Sequence, residues 1–174
     1  MRQRRAFVIA FAVTILSVSA LSQDTSRVPL GPEYRKWLTE DVHWIIRSQE
    51  RQSFLNLTSD RARDQFVASF WERRNPSPGS QENAFKEEHY RRLAFANEHF
   101  AAGIPGWKTD RGRIYIIYGP PDSIAAHPLA STESALEVWF YRHLRGKDSV
   151  SLKFVDACRC GDYHLQTELP SDEW

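Results

Sequence analysis

Little in this sequence announces chemistry. Cysteine occurs only twice, both times in Cys158-Arg159-Cys160, so no disulfide framework carries the fold and no four-thiolate zinc site can form. The six histidines include no H-E-x-x-H and no pair at i,i+4, which removes the helical metalloprotease pattern. A serine hydrolase of the nucleophile-elbow type needs G-x-S-x-G, and none occurs. A P-loop and a dinucleotide fingerprint are missing too, so no cofactor and no metal is expected. No block of like charge interrupts the chain and its formal net charge is +1, which argues against a nucleic-acid partner.

A long membrane-spanning run is also missing. The N-terminus reads MRQRRAFVIAFAVTILSVSALSQD, with basic Arg2, Arg4 and Arg5 followed by an apolar run from Ala6 to Leu16. That run is short of the roughly 20 residues a spanning helix needs. Small residues follow it, so residues 1–22 are expected to be a cleaved export signal, residues 23–32 a linker, and residues 33–174 one domain. No cysteine near the cleavage site offers a lipid anchor. The mature chain is expected in a periplasm or outside the cell, with no stable membrane span, and is long enough to bury a real core.

What is present falls into two halves. Between about 33 and 101 the apolar spacing is helical. Tyr34, Trp37, Leu38 and Ile45 share a face, with residues 42–46 either helical or extended. Ser48, Thr58 or Ser59, and Ser80 look like helix starts. Ala62, Phe66, Phe70 and Trp71 make a stripe, and Phe85, Leu93, Ala96 and Phe100 another. Glu87 with Arg91 and Glu88 with Arg92 stand as i,i+4 pairs. From about 112 to 170 the pattern alternates, predicting strands around 113–118, 136–141, 150–154 and 163–169 with Gly-containing hairpins at 143–148 and 157–162. The segment 122–134 is expected to be a long loop. The expected fold is α+β, with N-terminal helices packed on a mostly antiparallel sheet of about four strands.

The densest stretch is GWKTDRGRIYIIYGPPD, residues 106–122. Gly106, Trp107, Thr109, Asp110 and Gly112 read as a turn entering a strand, with Gly112 supplying a positive φ and Thr109 and Asp110 folding onto nearby amides. Gly119, Pro120, Pro121 and Asp122 read as the stop. A catalytic reading would draw on Asp110, Arg111 and Arg113 at one end and Asp122 with His127 at the other. A strand between them spans roughly 23 Å, too far for paired carboxylates. Tyr115, Trp139 and Tyr141 alternate out of phase with their aliphatic neighbours and predict cover for a second sheet face or an exposed aromatic platform for a partner. For Cys158 and Cys160 three readings stay open: a local disulfide, free thiols, or metal or redox chemistry.

Gly106-Trp107-Lys108-Thr109-Asp110 and the strand-like run after it resemble the GWxTD domain family of exported bacterial proteins. The likeness extends through YRKWLTEDVHWII, FWERRNPSPGSQENAF, EEHYRRLAFANEHF, EVWFYR and FVDACRCGDYHL. It implies no known active site. The expectation is therefore an exported, non-catalytic domain binding a protein or peptide in the cell envelope; an envelope hydrolase using Asp110, Arg111 or Arg113, and a glycan-binding module, are the alternatives.

Overall fold

The computed structural model describes residues 28–127 and 134–169; the expected export signal lies outside these residues. The described part of the expected linker, residues 28–32, is tied to the domain. Val28 N–H donates to Thr58 O at 3.1 Å, and buried Arg63 reaches back to the carbonyls of Val28 and Pro29.

Among the described residues five α-helices precede the sheet. α1, Pro32–Lys36, starts on a proline whose missing N–H would have been unbonded anyway. It runs into a π-helical turn, Trp37–Asp41, so residues 42–45 form turns rather than continuing helix or strand. α2, Ser48–Leu55, has Arg47 at its N-cap instead of Ser48, and the Glu50 carboxylate accepts the Arg47 N–H at 3.1 Å. α3, Asp60–Glu72, is capped by Ser59. α4, Ala84–His99, is capped by Asn83, whose side chain accepts the Lys86 N–H at 3.0 Å; Ser80 lies upstream of the helix. On α4 Glu88 takes both arginines, Arg92 at 2.6 Å and Arg91 a turn away. Helices α1 to α3 and the π turn enclose a first core of Tyr34, Trp37, Leu38, Val42, Phe54, Phe70 and Trp71. Each such side chain contributes about 1.5–3 kcal/mol by leaving water.

The expected first strand is a helix. Residues Asp110–Tyr118 form α5, preceded by a 3-10 turn, Gly106–Lys108. Ile114, Tyr115, Ile116, Ile117 and Tyr118 favour strands by propensity, yet Thr109 caps one end and Gly119, with φ 86°, closes the other. Burial decides the outcome: Ile114 and Ile116 sit in the second core while Tyr115 and Tyr118 pack against its edge.

The four-stranded sheet begins later, in the order β1-β2-β3-β4, all neighbours antiparallel. β1, Ser123–His127, lies inside the expected loop. β2, Ala135–Leu144, and β3, Lys147–Asp156, form the long hairpin. Its turn residues Arg145 and Gly146 both have positive φ, 54° and 70°, the twist that a two-residue hairpin wants. β4 shrinks to His164–Leu165.

The sheet's inward face is the aromatic one. Trp139 and Tyr141 are 0% and 3% exposed and Tyr115 is half-buried, so the expected aromatic platform does not exist. Trp139 packs on Phe100 and Phe154, opposite Leu152 in the register. Leu136, Val138 and Phe140 point the other way and stay half-buried. Tyr90 touches both cores and joins them.

Candidate functional site

The signature stretch forms a joint between α4, α5 and the sheet. Gly106 lies so close to α4 that a Cβ there would come within 1.8 Å of the Ala96 carbonyl oxygen. Gly112 is no positive-φ residue. It is helical, and its need for a hydrogen comes from the Gly106 carbonyl, which a Cβ would meet at 1.8 Å. Two close approaches thus stack the 3-10 turn between α4 and α5.

Thr109 fastens that stack. Its buried hydroxyl donates to Gly106 O at 2.8 Å and accepts the Gly112 N–H at 3.1 Å. Trp107 contributes backbone as much as ring: its N–H donates to Asn97 and its carbonyl accepts the Trp44 indole N–H at 2.8 Å. Asp110 does not fold onto amides of its own turn. One carboxylate oxygen accepts the Leu165 N–H at 2.9 Å, across to β4, and the other accepts from Arg113 at 3.2 Å. His164 stands 3.8 Å from Asp110 and 3.3 Å from Asp162.

Arg111, pointing beneath α5, completes the joint. It is 9% exposed, donates to Glu137 at 3.1 Å and to Gly161 O at 3.0 Å, and lies 4.1 Å from the Tyr163 ring centroid. Glu137 also accepts the Trp139 indole N–H at 3.0 Å. Gly161 O and the Trp139 indole N–H add to the pair's own bond, while the buried Arg111 Nε has no partner among the described residues. Glu137, Asp156 and His164 were not singled out by sequence reasoning. Glu137 was visible as the one acid on an apolar strand, which marks a buried partner.

The other end of the stretch is separate. Asp122 accepts from the Arg142 N–H and guanidinium, both at 2.7 Å, and these two bonds to Arg142 lower its pKa. Gly119 O accepts the Tyr141 hydroxyl at 3.0 Å. Helical rise puts about 13 Å between the ends of a nine-residue helix. That is shorter than a strand would give, and still beyond the 5–10 Å or so of paired glycosidase carboxylates. Pro120 and Pro121 bridge to β1, and His127 is exposed at its far end. The catalytic set Asp110, Arg111, Arg113, Asp122 and His127 is therefore not brought to one place.

Cys158 and Cys160 form a disulfide. Their sulfurs and an Asp156 oxygen lie within 4.8 Å of one another, but bonded sulfurs present no thiolates to a metal. Two open grooves have volumes of about 500 and 610 Å³: residues 44–49 line the first, which reaches the signature through Trp44, and α3 with α4 line the second.

Fold and joint together define a two-layer α+β domain whose best-marked sequence does structural work. The model of the GWxTD domain family matches residues 20–168, and the chain belongs to that family. No curated protein and no solved structure matches it. Among the described residues no helix is long and apolar enough to cross a membrane.

Proposed function

We propose that the protein is an exported, non-catalytic domain that binds an extended segment of a partner protein in the bacterial cell envelope, along the free edge of β1. The observation that carries this reading is the state of that edge. All five residues of β1 are exposed, no strand among the described residues pairs with its outer side, and Ser-Ile-Ala-Ala-His contains no lysine, acid or proline to guard the backbone groups there. Natural edges are usually blunted by such residues or by shortness, as β4 is with two residues. Strand addition at an open edge is a standard mode of peptide recognition. The half-buried side chains of Leu136, Val138, Phe140 and Val155 on the outer sheet face supply apolar contact beside it. The basic and apolar N-terminus supports export, and a disulfide suits an oxidising compartment.

The hydrolase reading has no favouring geometry, because Asp110 and Arg111 are spent on the joint. The aromatic platform expected for a partner or a glycan is buried, so it supports neither reading. Trp139 is for the same reason a poor probe of binding. Ile124, 52% exposed, is the better one. Ile124→Lys adds a guarding charge with a stability change of about 0.5 kcal/mol or less. An array of extended peptides from envelope proteins should retain the wild-type domain on a subset of spots and lose the variant from them. Equal retention of both proteins, or no retention of the wild type on any spot, contradicts the reading.

A further inference from the structure

One exposed cluster is used neither by the joint nor by the β1 edge. Cys158 and Cys160 are bonded and both are exposed. The ring they close contains only Arg159, exposed and held at φ 59°. Beneath it Asp156 is 5% exposed. Its Oδ1 accepts the Cys160 N–H at 3.1 Å and lies 3.2 Å from Cys158 Sγ, while its Oδ2 accepts the Gly161 N–H at 2.8 Å. Gly161 O in turn accepts from Arg111.

A structural staple is a poor explanation for this bond. Cross-links stabilise chiefly by shortening the freedom of the unfolded chain, and the shortest rings gain least. The loop is already held at both ends by Asp156 and Arg111, through bonds that involve no sulfur. An accessible disulfide that the fold does not need is the kind that exchanges with thiols.

We propose that Cys158–Cys160 is a thiol–disulfide exchange site with Cys160 as the reacting sulfur and Asp156 as the proton relay to Cys158. A substrate thiolate attacks Cys160 Sγ, forming a mixed disulfide and breaking the Cys158–Cys160 bond. The electron pair goes to Cys158, and the proton released by the substrate thiol returns to it through Asp156 Oδ1. A second substrate thiolate then attacks the substrate sulfur of the mixed disulfide, leaving an oxidised substrate and a Cys160 thiolate that takes its proton from water. Two electrons and two protons pass from two substrate thiols to the cysteine pair. Arg159, the residue between the two cysteines and itself exposed, adds a positive charge to the short ring, which favours thiolates there.

The folded protein is incubated at neutral pH with reduced glutathione or with a reduced dithiol peptide, and free thiols are counted by alkylation and mass. The pair should open within minutes at about millimolar thiol, while the melting transition stays cooperative. Exchange with the peptide alone assigns protein dithiols as the substrate; exchange with glutathione alone assigns small thiols. Given oxidised glutathione instead, Cys158→Ser, which keeps Cys160, should take up glutathione as a mixed disulfide, releasing one reduced glutathione, at least about tenfold faster than Cys160→Ser. In Asp156→Asn, whose amide oxygen still accepts a loop N–H, opening should slow by about tenfold and its pH profile should change. Opening only in denaturant, unfolding on reduction, or equal trapping by the two single-cysteine variants would overturn the assignment; an unchanged rate and profile in Asp156→Asn would overturn the relay.

Discussion

The two cores are built by different means. Around Trp37, Phe54 and Phe70 the chain is local: short helices follow one another, started by Pro32, by the Glu50 carboxylate on the Arg47 N–H, and by Ser59. Around Trp139 and Ile114 the parts come from far apart in sequence, and one short stretch must hold α4, α5 and β4 together at once. Each core nevertheless contains one buried arginine acting as a pin. Arg63, 2% exposed, gathers the carbonyls of Val28, Pro29 and Leu57 and the carboxylate of Asp60. Arg111 gathers one carbonyl and one largely buried carboxylate. The first arginine serves chain segments that water could partly serve. The second faces a charge that water cannot reach well.

That contrast orders the expected effects of change. Gly112→Ala is the most damaging, since its methyl group meets backbone rather than a movable side chain. A loss of about 3 kcal/mol or more is expected, read as a fall of about 10 °C in the melting temperature. Gly79→Ala is the control: its φ is 81° but nothing lies within 4 Å, so only a backbone cost of about 1–2 kcal/mol applies.

The pins separate next. Arg111→Met strands Glu137, whose side chain is 19% exposed, and should cost about 3 kcal/mol or slightly less in chemical denaturation, the low end for a broken buried pair, whereas Arg63→Met should cost less because Asp60 is exposed. Adding Glu137→Gln to Arg111→Met should return part of that loss. A double variant no more stable than Arg111→Met alone would mean the arginine acts by packing on Tyr163 and not by charge.

The smallest effect belongs to the first core and appears only in acid. Burial pushes the Glu50 pKa up, but hydrogen bonds from Arg74, the Arg47 N–H and Arg73 outweigh it and hold the value at about 2. A carboxylate with a depressed folded pKa contributes fully above its unfolded value of 4.5 and loses that contribution as the pH falls toward the folded one. The melting temperature should therefore decline between about pH 5 and pH 2, with a shallower slope in Glu50→Gln. Parallel slopes would show that other carboxylates carry the acid sensitivity.

The same contrast explains what the sequence made legible. Helix spacing in residues 33–101 reported the first core well, because capping residues and apolar stripes are local signals; the errors at Ser48 and Ser80 shifted helix starts by a few residues. The β2–β3 hairpin was readable from Arg145-Gly146 and the alternation on either side. α5 was not. Its isoleucines and tyrosines carry strand propensity, and only burial by α4 and the sheet overrides it. Thr109 and Gly119 were the available helix signals, and reading them as turn chemistry hid both. Misplacing that strand hid β1, and with it the open edge. The inward face of β2 was reversed in expectation because aliphatic residues are the usual core formers, whereas here Trp139 and Tyr141 fill the space.

The account's central claim is that the GWxTD stretch joins helices to sheet rather than performing a reaction. Thr109→Val tests it most directly, because it keeps the shape of a 3% exposed side chain and removes only its hydroxyl. With the Gly112 N–H left unpaired and the Gly106 carbonyl keeping only the Thr109 N–H, thermal unfolding should shift down by roughly 4–8 °C, equivalent to about 2 kcal/mol. A melting temperature unchanged from wild type would contradict the claim.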